Sequence, residues 1–145
     1  MTETQPTSSQ PSVRDIKLEA PNRLSTVIAS APGIMAQSLR AMLESVPRVR
    51  VVGMAAGCLS ALQMVRESKA DLVVIDANLP IEDVQVLLQQ LRGEGLPTRS
   101  LVLAATRSHE QRTRAAGADI VFRRDGPTRQ LYALVAALDV PDWSG

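Results

Sequence analysis

The chain has 145 residues, 45% of them hydrophobic, which is enough to bury one sizeable core and gives no sign of a second globular unit. With 16 basic and 15 acidic residues the formal net charge is +1, so there is no global field to attract nucleic acid or an anionic membrane. Cys58 is the single cysteine, which excludes an intrachain disulfide and reads as a plain buried thiol in a reducing compartment; the three aromatic residues Phe122, Tyr132 and Trp143 are too few for a base-stacking platform.

Residues 1–23 are rich in Thr, Ser, Gln and Pro, lack the apolar block of a signal peptide, and read as a flexible tail. No later stretch approaches the roughly 20 apolar residues of a membrane helix, so a soluble, cytoplasmic protein is expected. Over residues 24–139, short β-branched runs alternate with helical patterns, the signature of an α/β domain with a doubly wound parallel sheet and helices on both faces. The expected strands are Thr26 to Ser30, Val49 to Ala55, Leu72 to Asp76, Ser100 to Ala104 and Ile120 to Arg123.

The first helix follows Pro32-Gly33 and carries Met35, Leu39, Met42, Leu43 and Val46 on one face, a stripe that reads as core. A second helix spans Leu59 to Lys69. The third places Val84, Leu87, Leu88 and Leu91 on one face before Gly93 and Gly95 release the chain, and Glu82 and Asp83 in its first turn suit a capping role at the positive end of the dipole. The fourth has a capping box in Ser108 and Gln111, yet only alanines as apolar residues up to Ala116, so it should be short and weakly docked. Gly117 supplies the left-handed geometry that precedes the fifth strand. The last helix carries Leu131, Leu134, Val135 and Leu138, and residues 140–145 read as a C-terminal tail too short for an effector domain.

Asp76 ends the apolar run Asp71-Leu72-Val73-Val74-Ile75 and is followed by Ala77-Asn78-Leu79-Pro80. A carboxylate at the tip of a buried strand stands where open parallel sheets keep their ligands and chemistry, outside the carboxyl ends of the strands. Asp76 is therefore a candidate nucleophile.

Five segments, Ser38-Leu39-Arg40-Ala41-Met42-Leu43-Glu44, Val51-Val52-Gly53, Asp76 to Pro80, Ala116-Gly117-Ala118-Asp119 and Arg124-Asp125, fall in the order and near the spacing of a known family. The stretch from Thr26 to Leu138 resembles the receiver domain of bacterial two-component response regulators, especially receivers that precede a DNA-binding helix-turn-helix module. The resemblance implies a flavodoxin-like five-stranded sheet of order 2-1-3-4-5. It also implies that Asp76 is the phosphoacceptor, taking a phosphoryl group from a histidine kinase or phosphotransfer protein while Mg²⁺ neutralises the developing charge.

Several positions depart from the family pattern. Its two metal-binding acids are matched by Ser30 and Ala31, its small hydroxyl residue ending the fourth strand by Ala104, its phosphate-pairing lysine by Arg124, and its switch aromatic by Val121. Asn78 still offers a backbone carbonyl and Asp76 an oxygen, but two formal negative charges are missing, so Mg²⁺ affinity should fall steeply. The expectation is a degenerate receiver, or pseudo-receiver: a signal-transduction module working through protein-protein interaction, with no catalytic residue, no metal and no cofactor. The alternative is an active phosphoacceptor, which alone would require Mg²⁺. Asp76 is then either paired with Arg124 across neighbouring strand ends or slowly phosphorylated.

Arg107, Arg112, Arg114, Arg123, Arg124 and Arg129 face only Glu110, Asp119 and Asp125 in the same stretch. With Val121 they correspond to the family's partner face of fourth helix, fifth strand and fifth helix. An acidic protein partner or a homodimer through that face is one reading, and a solvated basic surface is the other. Neither a recognition helix nor a phosphate loop accompanies these arginines, so nucleic-acid binding is not expected. An enzyme is not expected either: Ser30 would need a histidine base to act as a nucleophile, and His109 is the only histidine.

Overall fold

Period-two side-chain alternation in four buried strands decides this architecture. The computed structural model describes residues 23–76 and 78–143. Strands β1 (Leu24–Ala29), β2 (Val49–Ala55), β3 (Leu72–Ile75), β4 (Arg99–Ala104) and β5 (Ile120–Arg123) form one parallel sheet in the order β2-β1-β3-β4-β5. Helices α1 (Ile34–Glu44), α2 (Cys58–Ser68), α3 (Ile81–Gly93), α4 (Arg107–Ala115) and α5 (Thr128–Ala136) connect them. Val27, Val73, Ile75, Val102 and Val121 point to the face covered by α2 and α3, while Ile28, Leu72, Val74, Leu101 and Phe122 point to the face covered by α1 and α5. Both faces of β3 are covered, which is why Leu72 to Ile75 is apolar without interruption. Each such buried Leu or Ile side chain contributes about 1.5–3 kcal/mol.

The strand order and the two helical layers are those the sequence implied. Element ends move by a residue or two: Ser30 and Asp76 lie one position beyond β1 and β3. On α1 the expected stripe is rotated. Ala36, Leu39 and Leu43 are buried, whereas Met35 is 47% exposed, because a residue adjacent to the buried Ala36 lies about 100° around the helix from it. The α3 stripe of Val84, Leu87, Leu88 and Leu91 is buried throughout. Glu82 and Asp83 occupy its first turn without a side-chain capping bond, leaving them only the dipole interaction.

At α4 the cap is Thr106 rather than Ser108. Its backbone is extended and its hydroxyl oxygen accepts the His109 N–H at 3.0 Å, while Ser108 already lies inside the helix. Thr113 is the one buried residue of α4, and its hydroxyl donates to the carbonyls of His109 and Glu110. In β2, Val52 has no partner on β1: Thr26 pairs with Val51 and Val27 with Gly53, so Val52 bulges out and is exposed. Gly117 has φ +108°, and a Cβ there would lie 2.6 Å from Arg92 Nε, whose guanidinium donates two hydrogen bonds to the Gly117 carbonyl.

Two matching clamps tie the amino ends of the strands. Asp71 Oδ2 accepts the Ser25 N–H at 3.0 Å and the Ser25 hydroxyl at 3.1 Å, and Asp71 N–H donates back to Ser25 Oγ. Asp119 Oδ2 likewise accepts the Ser100 N–H at 2.9 Å and hydroxyl at 3.3 Å, and Asp119 N–H donates back to Ser100 Oγ. A carboxylate thus fixes the register of β1 against β3 and of β4 against β5. The expected N-terminal tail falls on residues 1–22, outside the described residues, apart from Arg23. Of the expected C-terminal tail, Pro141 is buried, and residues 144–145 lie outside the described residues.

Candidate functional site

Ser30, Asp76 and Arg124 all lie at the carboxyl end of the sheet because each continues the strand ladder by one residue. The Ser30 N–H donates to the Ala55 carbonyl, Asp76 N–H to the Ala29 carbonyl and Arg124 N–H to the Ala104 carbonyl, each at 2.9 Å. Their backbones are therefore as fixed as the strands themselves, and the place is the crevice in which open α/β sheets hold ligands.

Asp76 is only 4% exposed and Ser30 only 3%. The Ser30 hydroxyl donates to Asp76 Oδ2 at 2.9 Å, and the Asn78 N–H donates to Asp76 Oδ1 at 3.3 Å. Ala104 is fully buried beside them, and Ala31 is exposed. The expected pair between Asp76 and Arg124 does not form. Among the described residues no cation approaches the Asp76 carboxylate within 4.0 Å. Instead, Arg124 Nη1 donates to the Asn78 side-chain oxygen at 3.1 Å and the guanidinium stays on the exposed rim. The physical reason is desolvation: two neutral donors already satisfy the carboxylate, and drawing a guanidinium inward would cost several kcal/mol in lost hydration.

Mg²⁺ requires hard oxygen ligands in near-octahedral geometry. Here it would meet one carboxylate, the Asn78 backbone carbonyl and a serine hydroxyl already committed to the carboxylate. Among the described residues no group of three or more His, Cys, Asp and Glu side chains is placed to hold a metal ion. The residues present do not fit the ion.

The arginine-rich face is less charged than its sequence suggests. Arg114 pairs with Glu110 at 2.9 Å on α4, and Arg123 Nε lies 3.9 Å from Asp125 Oδ1. Arg107, Arg112 and Arg129 are exposed and lack an acidic partner among the described residues. Val121 does not belong to this surface. It is 9% exposed and packs in the α2/α3 layer, since its neighbour Phe122 takes the opposite face of the sheet. His109 lies half-buried on α4, and burial together with Arg112 holds its imidazole below the usual histidine range. Cys58 is a buried free thiol, pushed up to about 11 by burial and by the Asp83 charge.

The crevice also opens onto a cavity of about 180 Å³ between the sheet, α1 and α5. Its walls include Leu39, Met42 and Leu131, which the sequence reading assigned wholly to core packing. Amphipathic periodicity shows which face of a helix turns inward; a gap between that face and the sheet leaves no mark in the sequence.

With this topology and this crevice, the protein has the fold of a response-regulator receiver domain. It is similar to the signal receiver domain of the response regulator NarL from Mycobacterium tuberculosis (21% identity, TM-score 0.70, covering 79% of this chain and 94% of that one). It is similar as well to the isolated receiver domain of RcsB from Salmonella enterica serovar Typhimurium, solved with the phosphomimetic BeF₃⁻ (18% identity, TM-score 0.69, 80% and 88% covered). A third likeness is to the response-regulator domain of Thermotoga maritima CheB (18% identity, TM-score 0.65, 81% and 98% covered). No protein-family model and no curated protein matches the sequence. No helix among the described residues is long and apolar enough to cross a membrane.

Proposed function

We propose that this chain is a pseudo-receiver: a cytoplasmic, bacterial, non-enzymatic signalling module that acts through protein-protein contact and does not depend on Mg²⁺-assisted phosphorylation of Asp76. The observation that carries the reading is the buried Asp76 carboxylate, held by Ser30 and Asn78 in a crevice where, among the described residues, no group of three or more His, Cys, Asp and Glu side chains is placed to hold a cation. Without a divalent ion, the charge that builds on a phosphoryl group in transfer has, among the described residues lining the crevice, the rim guanidinium of Arg124 as its one cationic side chain, and electrostatic stabilisation is most of what catalyses that transfer. The partner is an acidic protein surface that meets Arg107, Arg112 and Arg129 on α4 and α5, where unpaired positive charge is concentrated. A second copy docking through α4, β5 and α5 would use the same face.

The test is incubation with acetyl phosphate and Mg²⁺ followed by intact-mass measurement, beside Asp76→Asn. The expected result is an unchanged mass for both proteins. A stoichiometric phosphoryl adduct that Asp76→Asn abolishes would instead establish the active phosphoacceptor. The partner surface is read separately: charge reversal at Arg107 and Arg112 should release a protein captured by the unaltered chain, and retention of that protein would discard the surface.

A further inference from the structure

Between the sheet and its α1/α5 layer, packing stops short of Asp76. The resulting cavity of about 180 Å³ has Met42, Leu103, Phe122 and Leu131 among its apolar walls and Asp76 and Arg124 among its polar ones. That space is enough for several water molecules or one solute of amino-acid size. It is smaller than the roughly 300 Å³ at which drug-sized pockets begin, so it suits a small solute better than a nucleotide.

The charges around it are arranged unusually. Asp76 is buried, satisfied by neutral donors alone, and has no cation within 4.0 Å among the described residues. Arg124 lines the same space from the rim, tied to an amide oxygen and, among the described residues, to no carboxylate. Opposite charges that border one apolar cavity without touching are complementary to a molecule that carries both. An amine alone would leave Arg124 facing a like charge, and an acid alone would deepen the burial of an unpaired Asp76.

We propose that this cavity binds a small zwitterion with an apolar side chain, of the α-amino acid class. Its ammonium meets Asp76, its carboxylate meets Arg124, and its side chain lies among Met42, Leu103, Phe122 and Leu131. Binding fills the gap between the sheet and the α1/α5 layer, so the ligand supplies an input to the signalling module that needs no phosphoryl group. The inference rests on the proposed function in one respect, that Asp76 is an unmodified carboxylate.

Isothermal titration calorimetry on the full chain with L-leucine, L-methionine and L-phenylalanine tests it, with 3-methylbutylamine and 4-methylpentanoate as the amine and acid counterparts of leucine. One amino acid is expected to bind at one site per chain, with its amine and acid counterparts each at least about tenfold weaker. Asp76→Asn keeps an acceptor for the Asn78 N–H and should weaken the amino acid by about tenfold to a hundredfold, the range of a hydrogen bond to a charged group. Ser38→Phe, on the exposed side of α1, fills the mouth without altering either charge and should abolish binding while the far-ultraviolet circular dichroism is unchanged. The proposal is overturned if none of the three amino acids binds at millimolar concentration, if the amine or the acid binds as tightly as the amino acid, or if neither substitution changes the affinity. Because intact mass reports phosphorylation independently of calorimetry, failure here and failure of the pseudo-receiver reading are separate results.

Discussion

Restoring the two missing acids, as Ser30→Asp with Ala31→Asp, puts the electrostatic argument to its hardest test. Ser30 Oγ lies 2.9 Å from Asp76 Oδ2, so a carboxylate at position 30 replaces a donor by a second negative charge at close range. The lost hydrogen bond to a charged acceptor is worth about 1.5–3 kcal/mol. Two unit charges about 4 Å apart repel by about 4 kcal/mol at an effective dielectric of about 20. Proton uptake by one of the two carboxyls limits the combined penalty, so the variant should lose about 2–4 kcal/mol in the presence of EDTA. With a urea slope of about 2 kcal/mol/M, its midpoint should fall by about 1–2 M.

Magnesium should reverse that loss. A cation bound only by the folded state at 100 times its Kd adds about 2.7 kcal/mol, most of the deficit. The unaltered protein should have the same urea midpoint in EDTA and in MgCl₂. The reasoning is refuted if Mg²⁺ raises the midpoint of the unaltered chain as much as that of the variant, or if the variant in EDTA is as stable as its parent.

Asp71→Ala and Asp119→Ala each strand a strand-end N–H, and each should lower stability by about 2 kcal/mol in urea unfolding, whereas an unchanged midpoint would show that the clamps do not hold register. His109 is held below the usual 6.5, so the unfolded chain binds the extra proton first: its contribution to stability is complete above pH 6.5 and is lost as pH falls through the lowered folded value. Urea midpoints at pH 7.5 and 5.5 should therefore differ less in His109→Gln than in the parent, and equal differences would contradict the assignment. Cys58, with its thiol raised to about 11, should react with iodoacetamide far more slowly in the native protein at pH 8 than in urea, and equal rates would mean that the thiol is open to solvent.

The alternation of strands and helices was already present in the sequence because it follows from short-range patterns, whereas the strand order was implied by the resemblance to receiver domains. Strands buried on both faces demand the unbroken run Leu72 to Ile75, and helices on a sheet demand stripes such as Val84, Leu87, Leu88 and Leu91. The position of Asp76 at a strand tip was legible for the same reason, since a strand end is a local event; that Ser30 and Ala31 stand where two acids would stand was implied only by the resemblance to receiver domains. Tertiary structure alone decided how the side chains at those tips divide their bonds. Asp76 took Ser30 and Asn78, and Arg124 stayed on the rim, because satisfying a buried carboxylate with neutral donors costs less than dehydrating a guanidinium. Val121 went inside because alternation put Phe122 on the opposite face, and Thr106 displaced Ser108 as the cap because its extended backbone aims its oxygen at the His109 N–H. The cavity beneath Asp76 is set by how closely α1 and α5 approach the sheet, a distance between elements remote in sequence that no local pattern encodes.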